Sequence, residues 1–118
     1  MRHQKDRKKL NLKPSHKRSL LRNQLLCLIA YGHIVSTKAR IKELRRFAEK
    51  AVTVAREGNT FNVRRRINAL LPYKPDMARK FVLEIAPRYT ERPGGYTRII
   101  PLGRRVSDTA EIARLEWV

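Results

Sequence analysis

Between Ser15 and Tyr31 the apolar positions Leu21, Leu25 and Leu28, flanked by Leu26 and Ile29, recur at three- and four-residue spacing and stop at Gly32. That stripe predicts a first helix over about 15–31, with Ser15 as a cap and Gly32 as the residue that ends it. HIVST follows, β-branched and bounded by that glycine, and predicts a short strand over about 33–37. Thr37 is placed to cap a second helix, in which Ile41, Leu44, Ala48, Ala51, Val52 and Ala55 form the clearest amphipathic stripe of the chain and run out at Gly58. Asn59 or Thr60 opens a third helix with Val63, Ile67, Leu70 and Leu71 facing inward, and LPYKP closes it. Pro75 and Asp76 suit the first turn of a fourth, whose stripe is Met77, Phe81, Val82 and Ile85 and which Pro87 terminates.

After Gly95 the period drops to two. Tyr96, Arg98, Ile100 and Leu102 alternate with Thr97, Ile99 and Pro101, and over 110–117 Glu111, Ala113, Leu115 and Trp117 alternate with Ala110, Ile112, Arg114 and Glu116. Joined by the polar GRRVSDT loop, the two runs read as a hairpin, with Pro101 marking an edge position or a bulge. The predicted class is α+β, two-layered: a small mixed three-stranded sheet packed with four helices in the order α-β-α-α-α-β-β, behind an extended basic N-terminal tail. With no internal repeat and no linker, residues 15–118 are expected to form a single globular domain and residues 1–14 the tail.

Charge changes the picture from a fold to a partner. Twenty-eight Lys and Arg against ten Asp and Glu leave +18 on 118 residues, an imbalance that calls for a polyanion, with nucleic acid the first candidate. A membrane partner is not expected, because the longest apolar run, Leu25 to Tyr31, is far too short to span a bilayer. No secretion signal is read, and the single Cys27, set among Leu25, Leu26, Leu28 and Ile29, is expected to be a small buried hydrophobe. The reading is of an intracellular protein.

The tail concentrates the charge: Arg2, Lys5, Arg7, Lys8, Lys9 and Lys13 face one acid, Asp6, and Lys17, Arg18 and Arg22 continue them onto the first helix. Such a segment can follow a phosphate backbone and release counterions; the alternative is a solvated or targeting tail. The polar face of the second helix adds Lys38, Lys42, Arg45, Arg46 and Lys50, which Glu43 and Glu49 balance only in part. Further on, Arg88, Tyr89, Arg92, Tyr96 and Arg98 interleave guanidinium groups with rings. That mixture can pair phosphates and stack on bases, or the two tyrosines can be ordinary sheet and core aromatics. PGGYTRII has neither the three spaced glycines of a dinucleotide loop nor a Walker ending, so it is read as a turn into a strand. His3, His16 and His33 share no ligand spacing with one another or with a carboxylate cluster. No cofactor, metal, small-molecule substrate or catalysis is therefore expected. A DNA-compacting protein and a small nuclease are the rival classes.

MRH, KKLN, SHKRSLLRNQ, STKARIKELRRFAEKAVTVARE, IAPRYTERPGGYTRII and the closing IARLEWV resemble, in order and spacing along the whole chain, the family of the seventeenth protein of the bacterial large ribosomal subunit. The resemblance implies a structural constituent that binds large-subunit ribosomal RNA, with neighbouring large-subunit proteins as further partners, in the cytoplasm and near the exit of the peptide tunnel. It implies RNA contacts at Arg2, His3, Lys9, His16, Arg22 and Asn23, then Lys42 and Arg45, then Arg88, Tyr89, Gly94, Gly95, Tyr96 and Arg98. The 103–109 loop keeps the family's two arginines, Arg104 and Arg105, although Val106 and Ser107 stand where a glycine-containing run is usual. Asp6 and Arg7 replace a glycine of the family's tail, and Leu12 a basic residue.

Overall fold

A computed structural model describes residues 12–118. Helix α1 (Pro14–Tyr31) starts one residue earlier than the pattern placed it, because Pro14, with its fixed φ, occupies the first turn. Ser15 thus lies inside the helix, and Lys13 is the N-cap, with no side-chain cap bond. The helix ends at Gly32, whose φ of 81° is left-handed and whose N–H donates to the Leu28 carbonyl at 2.9 Å. Strand β1 (His33–Thr37) leads directly into α2 (Lys38–Ala55), and α3 (Phe61–Leu70) follows with Thr60 as N-cap, its side chain accepting from the Val63 N–H at 3.2 Å.

The fourth helix departs from the simple pattern. Its α-helical part, α4 (Pro75–Lys80), passes into a π-helical turn (Phe81–Ile85) and then a 3-10 turn (Ala86–Tyr89). Pro87 does not end the segment but lies within it. Having no N–H and crowding the carbonyl four residues back, it disfavours α-geometry there, and the chain widens instead: the Ala86 N–H reaches the Phe81 carbonyl. The widened turn still delivers Phe81, Val82, Ile85, Ala86 and Tyr89 to the core.

Strands β2 (Thr97–Arg104) and β3 (Glu111–Trp117) form the hairpin, and the sheet order is β1-β3-β2. The α+β class and the element order are as expected, but the sheet anticipated as mixed is antiparallel at both pairings. β1 and β2 do run the same way, yet β3 stands between them, so no parallel pair forms. In this central place β3 has the most completely buried inward row of the three strands, Ala113, Leu115 and Trp117. Pro101 lies on the edge strand, and the register slips between Pro101 and Gly103; a missing N–H costs little at such a place.

One core joins the layers. Leu25, Leu28 and Ile29 of α1, the α2 stripe, Val63 and Ile67 of α3 and the Phe81–Tyr89 segment close over Leu115 and Trp117. Cys27, expected in this core, is exposed. At about 100° per residue it projects away from the face that Leu25, Leu28 and Ile29 bury, and apolar neighbours in sequence do not alter that angle.

Candidate nucleic-acid interface

Helix α2 positions the basic residues because its apolar stripe faces the sheet and core, leaving Lys42, Arg45, Arg46 and Lys50 on the outer side. Along that side runs an open groove of about 870 Å³, bounded by Lys17 and Leu21 of α1, by α2, and by the Gly94–Gly95 turn before β2. Three segments far apart in sequence meet there.

The two acids of α2 are engaged inward. Glu43 is buried, and its carboxylate lies 3.3 Å from the Lys17 ammonium. Glu49 holds the turn: its carboxylate accepts from the backbone N–H groups of Tyr96 and Thr97 at 3.1 and 3.3 Å and from the Thr97 hydroxyl at 3.1 Å. Its contact with the Arg45 guanidinium is long, 4.0 Å. The groove therefore has carboxylates in its floor, committed to the fold, and cations on its rim. Gly95 has a φ of 65°, which only glycine adopts freely, so the chain can turn here at low strain. Gly94 and Gly95 line the groove, and their N–H groups have no hydrogen-bond partner among the described residues.

The residues singled out from sequence separate into groups. Arg2, His3, Lys5, Arg7, Lys8 and Lys9 lie outside the described residues. Lys13, His16, Arg18 and Asn23 are exposed along α1, and Lys42 and Arg45 along α2. Arg88 and Arg92 are exposed and have no ion pair among the described residues. Arg22 is half-buried and donates to the Ala69 carbonyl at 3.4 Å, bracing α1 against the last turn of α3.

Four other predicted cations, Lys38, Arg98, Arg104 and Arg105, are paired with acids of the hairpin, as is Arg114. Arg98 lies 3.2 Å from Glu116, which Arg114 also holds; Lys38 and Arg104 share Glu111; and Arg105 makes a two-pronged pair with Asp108 at 2.9 and 2.7 Å. These pairs leave the hairpin closer to neutral than the α2 groove. Beside Asp108, the guanidinium of Arg105 and the Ala110 N–H hold its carboxyl at about 2, below the ordinary 3.8. A lowered folded value means the contact is present above the ordinary value and is lost as pH falls through about 2. Titration of the Asp108 carboxyl carbon by NMR is expected to show that midpoint, and a midpoint at the ordinary value would mean the pair does not form in solution.

The open choice over the two rings is resolved. Tyr89 and Tyr96 are each 2% exposed, with ring centroids 5.4 Å apart, so neither presents a face for a base. The Tyr89 hydroxyl donates to the Val118 carbonyl at 2.8 Å, and Arg56 donates to the Tyr96 hydroxyl at 2.9 Å. Burial raises the Tyr89 phenol above its ordinary value, while the neighbouring Arg88 acts in the opposite sense. Both tyrosines are core aromatics, and Tyr96 contributes to the groove by anchoring the glycine turn.

Two sets of residues escaped the sequence-based site. Arg46 and Lys50 line the groove but were weighed only as a polar helix face. Arg64, Arg65 and Arg66 on α3 and Arg79 and Lys80 on α4 were passed over, although their run in sequence was a visible signal. His16 and His33 are both exposed, and no cluster fit to hold a metal occurs among the described residues. No helix there is long and apolar enough to cross a membrane.

A small α+β fold that turns the two acids of α2 inward and sets cations around an open groove defines a compact basic protein. The model of the family described as ribosomal protein L17 matches residues 20–118, and the chain belongs to that family of large-subunit ribosomal proteins, which are structural proteins and not enzymes. It is 42% identical over 118 residues to the large ribosomal subunit protein bL17 of Dictyoglomus thermophilum, covering all of both chains. The bL17 of Gemmatimonas aurantiaca is 42% identical over 118 residues, all of this chain and 98% of that one, and the bL17 of Borrelia hermsii 43% over 110 residues, 93% and 88%.

Proposed function

We propose that this chain is a structural constituent of the large ribosomal subunit that binds large-subunit ribosomal RNA through the basic segment 1–14 and through the α2 groove of a single domain formed by residues 15–118. Neighbouring large-subunit proteins are its other partners, and the bacterial cytoplasm is its place. The observation that carries the reading is the groove: Lys42, Arg45, Arg46 and Lys50 line it together with the Gly94–Gly95 turn, whose N–H groups have no partner among the described residues, while Glu43 and Glu49 are committed to the fold. Phosphates laid along it meet both charge and backbone donors. The outer sheet face, with its ion-paired arginines and exposed Val35 and Ile100, suits a protein neighbour better than RNA.

Binding of the full chain to large-subunit RNA, measured across a salt series, tests this. Replacing Arg7, Lys8 and Lys9 together by Gln is expected to flatten the slope of log affinity against log salt by about 0.7–0.9 per lost contact, roughly two to three units in all. Lys42→Gln with Arg45→Gln is expected to remove a further one to two units on the same basis, roughly. Unchanged slopes in both variants would reject the reading, and equal affinity for duplex DNA in competition would favour the DNA-compacting class.

A further inference from the structure

Helix α3 has two flanks. One, with Arg66, Ala69 and Leu70, faces Phe47, Lys50 and Val54 of α2 and continues the groove already described. The other faces α4 and the π-helical turn across a separate groove of about 380 Å³. Its floor is apolar, made of Ile67, Ala78 and Val82, all at least nine-tenths buried. Around the floor stand four exposed polar side chains: Arg64 and Asn68 on α3, Asn59 before it, and Arg79 on α4.

Charge here is as one-sided as in the first groove. Residues 61–80 carry Arg64, Arg65, Arg66, Lys74, Arg79 and Lys80 against the single acid Asp76, and none of the six has an ion pair among the described residues. The fold gives these cations no internal task, in contrast to Arg22, Arg56 and Arg105, each of which holds a named acceptor. An apolar floor, two amides and two guanidinium groups form a particular combination. The floor takes the face of a flat ring, Asn amides offer a donor and an acceptor to its edge, and guanidinium groups take the phosphates on either side.

We infer that the α3–α4 groove is a second RNA-binding site, one that holds an unpaired nucleotide, and that the protein clamps two RNA segments on opposite flanks of α3. The choice of RNA as ligand rests on the function proposed above; the location and the unpaired state rest on the groove itself. A continuous duplex does not fit, because its bases are stacked away from a floor recessed between two helices.

The experiment uses the full chain bound to deproteinised large-subunit RNA. Arg64→Gln with Arg79→Gln, both exposed, is compared with Lys42→Gln with Arg45→Gln and with all four together, after thermal melts establish that each variant folds. The α3–α4 pair is expected to lower the salt slope by about 1.4, two contacts at about 0.7 each for single-stranded RNA. The fourfold variant is expected to lose the sum of the two pairs, as separate contacts should. Ultraviolet crosslinking of the wild-type complex is expected to put base adducts on peptides containing Asn59, Asn68 or Val82. An unchanged slope for the α3–α4 pair, with a lowered one for the α2 pair, overturns the second site and leaves the proposed function standing. Unchanged slopes for both pairs would overturn the second site and, with it, the α2 groove of the proposed function. Adducts confined to the α2 groove, or crosslinks from Arg79 to a protein chain in intact subunits, would also overturn the nucleotide site.

Discussion

Replacing Trp117 by alanine is expected to destabilise the fold by about 4 kcal/mol, within the range for removing a large buried aromatic. Trp117 is the last residue of the central strand and is 8% exposed. Its ring centroid lies 6.0 Å from that of Phe81 and 6.4 Å from that of Tyr89, so one side chain ties the sheet to the π-helical and 3-10 turns. Its Nε1–H donates to the Leu28 carbonyl at 3.1 Å, the same carbonyl that accepts the Gly32 N–H closing α1. Truncation thus opens a cavity among rings that cannot all collapse into it and removes a bond linking the end of the chain to its first helix. Trp117→Phe keeps most of the ring volume and loses the N–H, so it is expected to cost about 1–2 kcal/mol, the scale of one buried hydrogen bond with a small packing change. Denaturant unfolding measures both. A loss under about 1 kcal/mol for the alanine variant would mean that the aromatic cluster is not packed as described.

Glu49→Ala is expected to cost about 3 kcal/mol and to weaken RNA binding without removing any cation. The carboxylate accepts three hydrogen bonds from the start of β2, each charge-assisted, and its loss leaves two backbone donors with less than full partners. The Gly94–Gly95 turn, which lines the groove, would then lose the contact that fixes it to α2. Hydrogen exchange offers a specific readout: the amides of Tyr96 and Thr97 are expected to exchange faster in the variant, while those of the β1–β3 pairing hold. Glu49→Gln retains one carbonyl acceptor and is expected to fall between the two. Should Glu49→Ala leave RNA affinity unchanged despite the faster exchange, the glycine turn would be excluded from the interface.

Much of this architecture was legible beforehand because its causes are local. The α2 stripe is set by residues three and four apart, Thr60 caps α3 with its own side chain, Gly32 ends α1 with its own φ, and Pro101 announced the edge and bulge of β2. Errors arose where a residue's fate depends on what lies across space. Cys27 was judged by apolar neighbours in sequence although the helix turns it away from them. Pro87 was judged a terminator, yet the aromatic core keeps the chain turning past it through wider geometry. The sheet was expected to be mixed because nothing in the strands' own residues says that β3, last in the chain, inserts between the other two.

The site shows the same division. Sequence by itself determined the excess of positive charge, the elements that carry it, the turn at Gly94–Gly95 and the resemblance to a ribosomal family, since composition, periodicity and motif order are properties of the chain as written. Tertiary structure alone decided which charges remain available. Arg98, Arg104 and Arg105 looked equivalent to Lys42 and Arg45 until the hairpin brought Glu116, Glu111 and Asp108 within 2.7–3.4 Å of the first three, while Arg45 keeps only a 4.0 Å contact with Glu49. Tyr89 and Tyr96 were candidates for stacking until folding packed them against each other. A charge or a ring is available to a partner only if the fold has not already used it, and that use is set by long-range contacts, because Coulomb attraction and burial depend on distance through space and not along the chain.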